Sequence, residues 1–250
     1  MSKIKIAYDN KLKDASSITC AQEDSDNPLA NMYDDRLYDF FKSDGSATVD
    51  IDVSFTSAVA LDTLCFFKTN LADVGATIEL QYDNGGGYVT AVSVTPTDTK
   101  PVFKMFTEVS SDTWRIKITN ATDVVSLGDV FIDKAISTQR GIWKGFNPPH
   151  LDRKVSYTNN ESEGGLPLGR SKRVIGWDGN VNIEFETTAT MRSTLLPFIV
   201  SAEDNPFYFS WNYDDYPDEA VYAWTDGSRV SPRNTHAGLM SVSIKMEALL

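Results

Sequence analysis

The stretch from Ala76 to Pro96, ATIELQYDNGGGYVTAVSVTP, constrains the fold more than any other part of the chain. Ala76, Ile78 and Leu80 alternate with Thr77, Glu79 and Gln81, which is the period of a half-buried strand. After the glycines, Val92 and Val94 alternate with Ser93 and Thr95, and Pro96 closes the run. A phosphate-binding loop needs a helix after its glycines, so that backbone N–H groups and the helix N-terminus face the anion. No helical pattern and no Gly-Lys-Ser/Thr follows here, so Asp83-Asn84-Gly85-Gly86-Gly87 is expected to turn one strand into the next, with Asn and Gly supplying positive φ.

The same rhythm extends over the first 136 residues. ATVDIDVSF, ALDTLCFFKT, PVFKMFTEV, TWRIKITN and VSLGDVFIDKAI are further strand candidates separated by turn residues, the pattern of a sandwich of antiparallel sheets. Ahead of them lies ITCAQEDSDNPLANMYDDRLYDFFKSDG, a long polar loop with aromatics. Residues 137–150, STQRGIWKGFNPPH, read as a linker whose Pro148-Pro149 pair forbids helix, with Trp143 and Phe146 expected to dock on a neighbouring unit. Residues 151–250 change pattern. DRKVSYT is a strand, NNESEGGLPLG a long mobile loop, and KRVIGWDGNVNIEFETT a strand pair or one bent strand. Met191, Leu195, Leu196 and Ile199 then fall at helical spacing, with Thr188 or Thr190 as N-cap and Pro197 limiting the helix. PFYFSWNY, AVYAWTDG and GLMSVSIKMEAL return to strands, which makes this half α+β with one helix.

Composition narrows the function. A net charge of −12 disfavours non-specific or sequence-specific nucleic-acid binding, because phosphates are repelled. Residues 1–10 lack a signal-peptide core and the LLPFIV run is too short to span a bilayer, so folding in a cytoplasm without membrane insertion is expected. Cys20 and Cys65 are expected as reduced thiols, and His150 and His236 lack partners at zinc-ligand spacing.

Catalytic constellations are weak. Asp34-Asp35, Asp214-Asp215 and Asp218-Glu219 could be glycosidase acids, but acidic doublets in polar loops are mostly solvated surface. No Gly-x-Ser-x-Gly elbow is present. The segment around Asp24-Ser25-Asp26-Asn27 is rich in oxygen ligands for calcium, yet Pro28 follows and EF-hand spacing is absent, so a solvated loop is the better reading. Among the clustered aromatics, alternation sends Phe207, Phe209 and Trp211 to the core and leaves Tyr213 and Tyr216 as interface candidates beside Tyr222 and Trp224. No catalytic, cofactor-binding or metal residue is assigned, no cofactor is expected, and ligand-binding residues stay open.

NPLANMYDDRLYDFFKSDG, TVDIDVSF, ALDTLCFFKTNLADVGATIELQYDNGG and DTWRIKITNATDVVSLGDVFIDKAI, in that order, resemble the galactose-binding-like (discoidin-type) jelly-roll sandwich of some phage tail proteins, with Asn70-Leu71 and Gly75-Ala76 as the best marks. The second half looks like the tail-tube-type fold of tube, distal-tail and tail-tip adaptor proteins of long-tailed phages, through its strand–loop–strand–helix–strand order, NPFYFSWN and the final GLMSVSIKMEAL. The resemblance implies a non-enzymatic, ring-forming tail component assembled in the host cytoplasm and carried in the virion. It would contact tail tube, hub and tape-measure proteins, and TNNESEGGLPLGR would reach a neighbouring subunit. The sandwich would be a peripheral module that could meet a host surface glycan. The alternatives are a carbohydrate-binding adhesion protein without ring assembly, or a virion-associated glycosidase.

Overall fold

The computed structural model describes residues 3–142 and 145–250. The chain is mainly β, built from antiparallel strands in two sheets. In chain order the strands are β1 (Lys5–Ala7), β2 (Ser17–Cys20), β3 (Phe41–Lys42), β4 (Val49–Thr69), β5 (Thr77–Asp83), β6 (Tyr88–Val94), β7 (Val102–Thr119), β8 (Ser126–Asp133), β9 (Ile136–Ser137), β10 (Lys154–Glu161), β11 (Pro167–Thr187), β12 (Phe207–Ser210), β13 (Ala220–Thr225), β14 (Arg233–His236) and β15 (Leu239–Leu249).

The glycine run does what its flanks demand. β5 and β6 pair as a hairpin, from Ile78 opposite Val94 to Asp83 opposite Tyr88. Asp83 Oδ1 accepts the Gly85 N–H at 2.8 Å, and Gly85 and Gly87 hold φ of 88° and 131°. Elsewhere the strands run longer than the turn residues suggest. ATVDIDVSF and ALDTLCFFKT form the single strand β4, and PVFKMFTEV and TWRIKITN the single strand β7. These two pair along their length, with irregularities between Ser54 and Val59 and between Leu61 and Thr63. Bulges bend a strand without ending it, so one end of β4 lies beside β2 while the other lies beside β8. Val49, Ile51 and Val53 from the first end and Leu64 and Phe66 from the second meet in one core with Trp114, Ile116 and Ile132.

The second sheet has the order β10-β11-β15-β13-β12-β1-β9, with β14 also on β15. Its membership crosses the expected boundary at residue 136. Lys5–Ala7 pairs with Tyr208–Ser210, far along the chain, and also with Ile136 and Ser137, the last residue of the expected sandwich and the first of the expected linker. That linker is tied down further. Glu186, fully buried, accepts the N–H groups of Gln139 and Arg140 at 2.9 and 3.2 Å, and Thr138 Oγ1 accepts from Ile4 N. Phe146 packs against Trp177, Phe209 and Trp211, as expected for a docked aromatic. Trp143 lies outside the described residues.

The helical segment comprises α1 (Thr188–Thr190), a π turn over Met191–Leu195 and α2 (Leu196–Ser201). The N-cap is Thr187, one residue ahead of the expected pair, and its hydroxyl accepts the Thr190 N–H at 3.2 Å. Pro197 sits in the first turn of α2, where its missing N–H costs little, and the wider π turn precedes it. Met191, Leu195, Phe198 and Ile199 are buried, whereas Leu196 points outward. The helix packs on one face of the second sheet with Phe207, Phe209, Val221 and Ile244.

The opposite face of that sheet packs on the sandwich. Tyr208, Ala220, Tyr222 and Ala7 meet Cys65, Phe67, Phe103 and Phe131 in a third apolar cluster. At this contact β4 of the sandwich and β12 of the second sheet are each buried on both faces, which explains the unbroken apolar runs LCFF and FYF.

Candidate functional site

Three places hold side chains that the fold alone does not account for. The first is an arm. β10 and the first half of β11 pair with each other from Lys154 opposite Gly176 to Glu161 opposite Pro167. β11 joins β15 only from Trp177 onward. The NNESEGGLPLG segment, expected as a loop, is thus a hairpin whose tip is closed by Ser162 N donating to Leu166 O at 2.9 Å, with Gly165 at φ 76°. About eight paired residues at ~3.3 Å each give a ribbon of roughly 25 Å. Such a two-stranded ribbon is marginal on its own.

The arm has two unlike faces. By strand alternation, Leu168, Arg170, Lys172 and Val174 of β11 share a face with their cross-strand partners Asn159, Tyr157 and Val155. Leu168 is 70% exposed, Leu166 at the tip 69%, and the Arg170 guanidinium lies 4.0 Å above the Tyr157 ring. The other face carries Ser156, Thr158, Asn160 and Ser171, with Arg173. From Arg153 to Arg173 there are five basic residues, Arg153, Lys154, Arg170, Lys172 and Arg173, against the acids Glu161 and Glu163, in a chain whose net charge is −12.

The second place is a groove at one end of the sandwich, about 860 Å³ in volume, lined by Glu23, Asp24, Lys42, Asp44, Asn70 and Asp123 among others. A smaller hollow beside it adds Phe40, Lys68, Thr69 and Thr99. Asn70 staples the wall: its Nδ2 donates to Val124 O at 2.8 Å and its Oδ1 accepts the Ser126 N–H at 2.7 Å. Ser43 Oγ accepts from Val125 N at 3.0 Å. Lys68 takes φ 53° where β4 passes Gly128, and a Cβ on Gly128 would meet Lys68 O at 2.7 Å. The groove is polar with mixed charge, suited to hydroxyl groups. Among the described residues no group of three or more His, Cys, Asp or Glu is placed to hold a metal ion.

The third place is the seam between sandwich and second sheet. Asp129 is buried and accepts the Tyr208 O–H at 2.5 Å, while its other oxygen has no partner among the described residues. Burial pushes its pKa up to about 7, partly opposed by that hydrogen bond. Asp133 Oδ2 accepts the N–H groups of Tyr8 and Asp9 at 2.9 and 3.0 Å, and burial still lifts its pKa to about 6. Near this seam a hollow of about 430 Å³ opens between Asp35 and Leu37 of the sandwich loop, the Glu203–Pro206 turn, and Tyr222 and Trp224 of β13.

The acidic doublets singled out in the sequence are bound into local structure. Asp34 caps Arg36 N, Asp35 pairs with Lys13, Asp215 accepts from Asn212, Asp218 pairs with Lys104, and Glu219 accepts the Trp211 indole N–H at 2.8 Å. Tyr213, expected at an interface with another molecule, instead links the two halves of this one: its hydroxyl accepts the Met105 N–H at 3.0 Å and its ring lies against Phe103. Tyr216 is half exposed and stacks on Trp211. Cys20 lies in β2, not in a loop, and both thiols are free. The buried acids were missed, although SLGDVFIDKA places Asp129 and Asp133 inside an apolar run, a pattern that marks charges held within a packed layer.

No protein-family model matches the sequence, and no curated protein matches it. Among solved structures, a pectin binding carbohydrate binding module aligns at TM-score 0.40 and 11% identity, covering 47% of this chain and 89% of that one. Chitosan-binding module 1 of a chitosanase/glucanase from Paenibacillus sp. IK-5 aligns at TM-score 0.41 and 17% identity, over 50% of this chain and 98% of that one. A Ruminococcus gnavus fucosidase in complex with fucose aligns at TM-score 0.43 and 15% identity, over 51% of this chain and 27% of that one.

Proposed function

We propose that this chain is a non-enzymatic structural subunit that self-associates through its β10–β11 arm into a ring, as a distal-tail or tail-tip component of a long-tailed phage tail. The observation that carries the reading is the arm: a ribbon exposed on both sides, with an apolar and basic face on an acidic protein. A ribbon of this kind gains apolar burial and cross-strand neighbours by lying on another subunit. A repeated head-to-tail contact closes into a ring where the rotation permits. The phage-tail identity, and with it a place in the virion beside tube, hub and tape-measure proteins, draws on the sequence resemblance of the two halves. Sedimentation and negative-stain imaging of the purified chain test it. Closed rings that are lost when residues 156–173 are replaced by a short turn support the reading, and a monomer at every concentration counts against it.

A second reading has its own observation. The sandwich-end groove offers Lys42, Lys68, Asn70 and several carboxylates to a hydroxyl-rich ligand. In this reading the sandwich is a glycan-binding module. Binding on a glycan array that is lost in Asp123→Ala combined with Lys42→Ala supports it, and silence across the array counts against it.

A further inference from the structure

The hollow at the seam has an unusual lining. Asp35, Glu203 and Asp204 supply carboxylates, Tyr222 and Trp224 supply aromatic rings, and Leu37, Pro206 and Leu249 supply apolar walls. Among the described residues no Lys or Arg lines it. Asp35 is already paired with Lys13, so the carboxylates of Glu203 and Asp204, both exposed, are the ones open to a visitor. An apolar pocket with aromatic faces and an acidic rim fits a cation on a hydrocarbon stem, a guanidinium above all.

The arm displays that chemistry. Its Leu168–Arg170–Lys172–Val174 face alternates apolar ends with a basic centre, and Tyr157 stiffens Arg170 from below. We infer that the seam hollow is the acceptor site for the arm of a second copy of this chain, with Arg170 or Lys172 entering between Trp224 and the Glu203 and Asp204 carboxylates while Leu168 covers Leu37 or Leu249. The inference rests on the self-association reading above and adds where the arm lands. It also explains why a chain of net charge −12 concentrates five basic residues between Arg153 and Arg173: the arm and its acceptor carry opposite signs, so copies attract at those two places and repel elsewhere.

Charge reversal tests it on the full chain. Glu203 and Asp204 are exposed, as are Arg170 and Lys172, so reversal leaves the cores untouched. Three variants are compared with wild type by sedimentation over a concentration series, with thermal melts as a control for folding: Glu203→Lys with Asp204→Lys, Arg170→Glu with Lys172→Glu, and all four together. The expected result is that each pair alone raises the concentration needed for association by at least about tenfold, and that the fourfold variant regains most of the loss. Association weakened by the arm pair but not by the acceptor pair overturns this inference while the arm reading stands. A fourfold variant no better than either pair also overturns it. A wild-type chain that never associates removes both readings.

Discussion

Asp129 turns the seam between the two halves into a titrating contact, and its effect on stability can be worked through. The carboxyl ionises near 3.8 when exposed, but within the fold it holds its proton up to about 7, chiefly because it is buried. Between those values the folded state binds more protons than the unfolded state, so stability must fall as pH rises. It is fully present below pH 3.8 and lost as pH climbs through the folded value. The whole difference corresponds to about 4 kcal/mol, of which about 3 kcal/mol falls between pH 5 and pH 8. Asp133, lifted to about 6, acts in the same direction, adding about 1 kcal/mol over that interval. Urea unfolding of wild type followed by tryptophan fluorescence and circular dichroism is expected to lose about 4 kcal/mol from these two groups between pH 5 and pH 8. Asp129→Asn keeps an oxygen to accept the Tyr208 O–H and cannot ionise, so its loss over the same interval is expected to shrink to about 1 kcal/mol. An Asp129→Asn profile parallel to wild type would refute the assignment of a protonated, buried carboxyl at this seam.

Gly176 holds φ 132° and a Cβ there would meet Ala248 O at 2.1 Å, so Gly176→Ala is expected to cost about 3 kcal/mol by forcing β11 from β15, read as a lower urea midpoint. Asn70→Ala removes both staples on the groove wall and is expected to cost about 1–2 kcal/mol, a fall in Tm of about 2–8 °C, with an unchanged Tm ruling the staple out as a stabilising contact. Cys65 is fully buried and its thiol pKa is pushed up by that burial, whereas Cys20 is half-buried. A thiol reagent under native conditions is therefore expected to modify Cys20 alone, and Cys65 only after denaturant is added.

Local patterns were legible in the sequence wherever one face of a strand meets water. The β5–β6 hairpin follows from alternation and its glycines, and the burial of Phe207 and Phe209 from their spacing. Long-range assignments were not legible. Turn-prone residues in TSAVA separate two apparent strands, yet β4 runs through them, because its bulge is held by pairing with β7, whose residues lie some fifty positions away. Tyr208 alternates away from the core of its own half and looks like a surface residue until the sandwich covers it. Lys5–Ala7 is too short to advertise its partner, which is specified by register against residues 208–210. The arm failed as a prediction because Gly, Asn and Pro signal a loop, and only the tip Ser162–Leu166 is one. The groove and the seam hollow are assembled from distant segments, so no contiguous motif announces either.

The pairing of β1 with β9 has a wider consequence. Ile6 lies opposite Ile136, and the Asp133 carboxylate grips the backbone of Tyr8 and Asp9, so the chain enters and leaves the sandwich at neighbouring points. In connectivity the whole sandwich is the loop of a two-stranded hairpin, a guest carried inside a host that begins before it and finishes after it. During synthesis the guest can close its core when residue 132 has emerged, while the host's first strand can pair with β9 at once and gains its second partner only when β12 has been made. Exchange of the guest is expected to be tolerated where its ends already meet, provided the newcomer covers Tyr208 and Tyr222 or those positions are made polar.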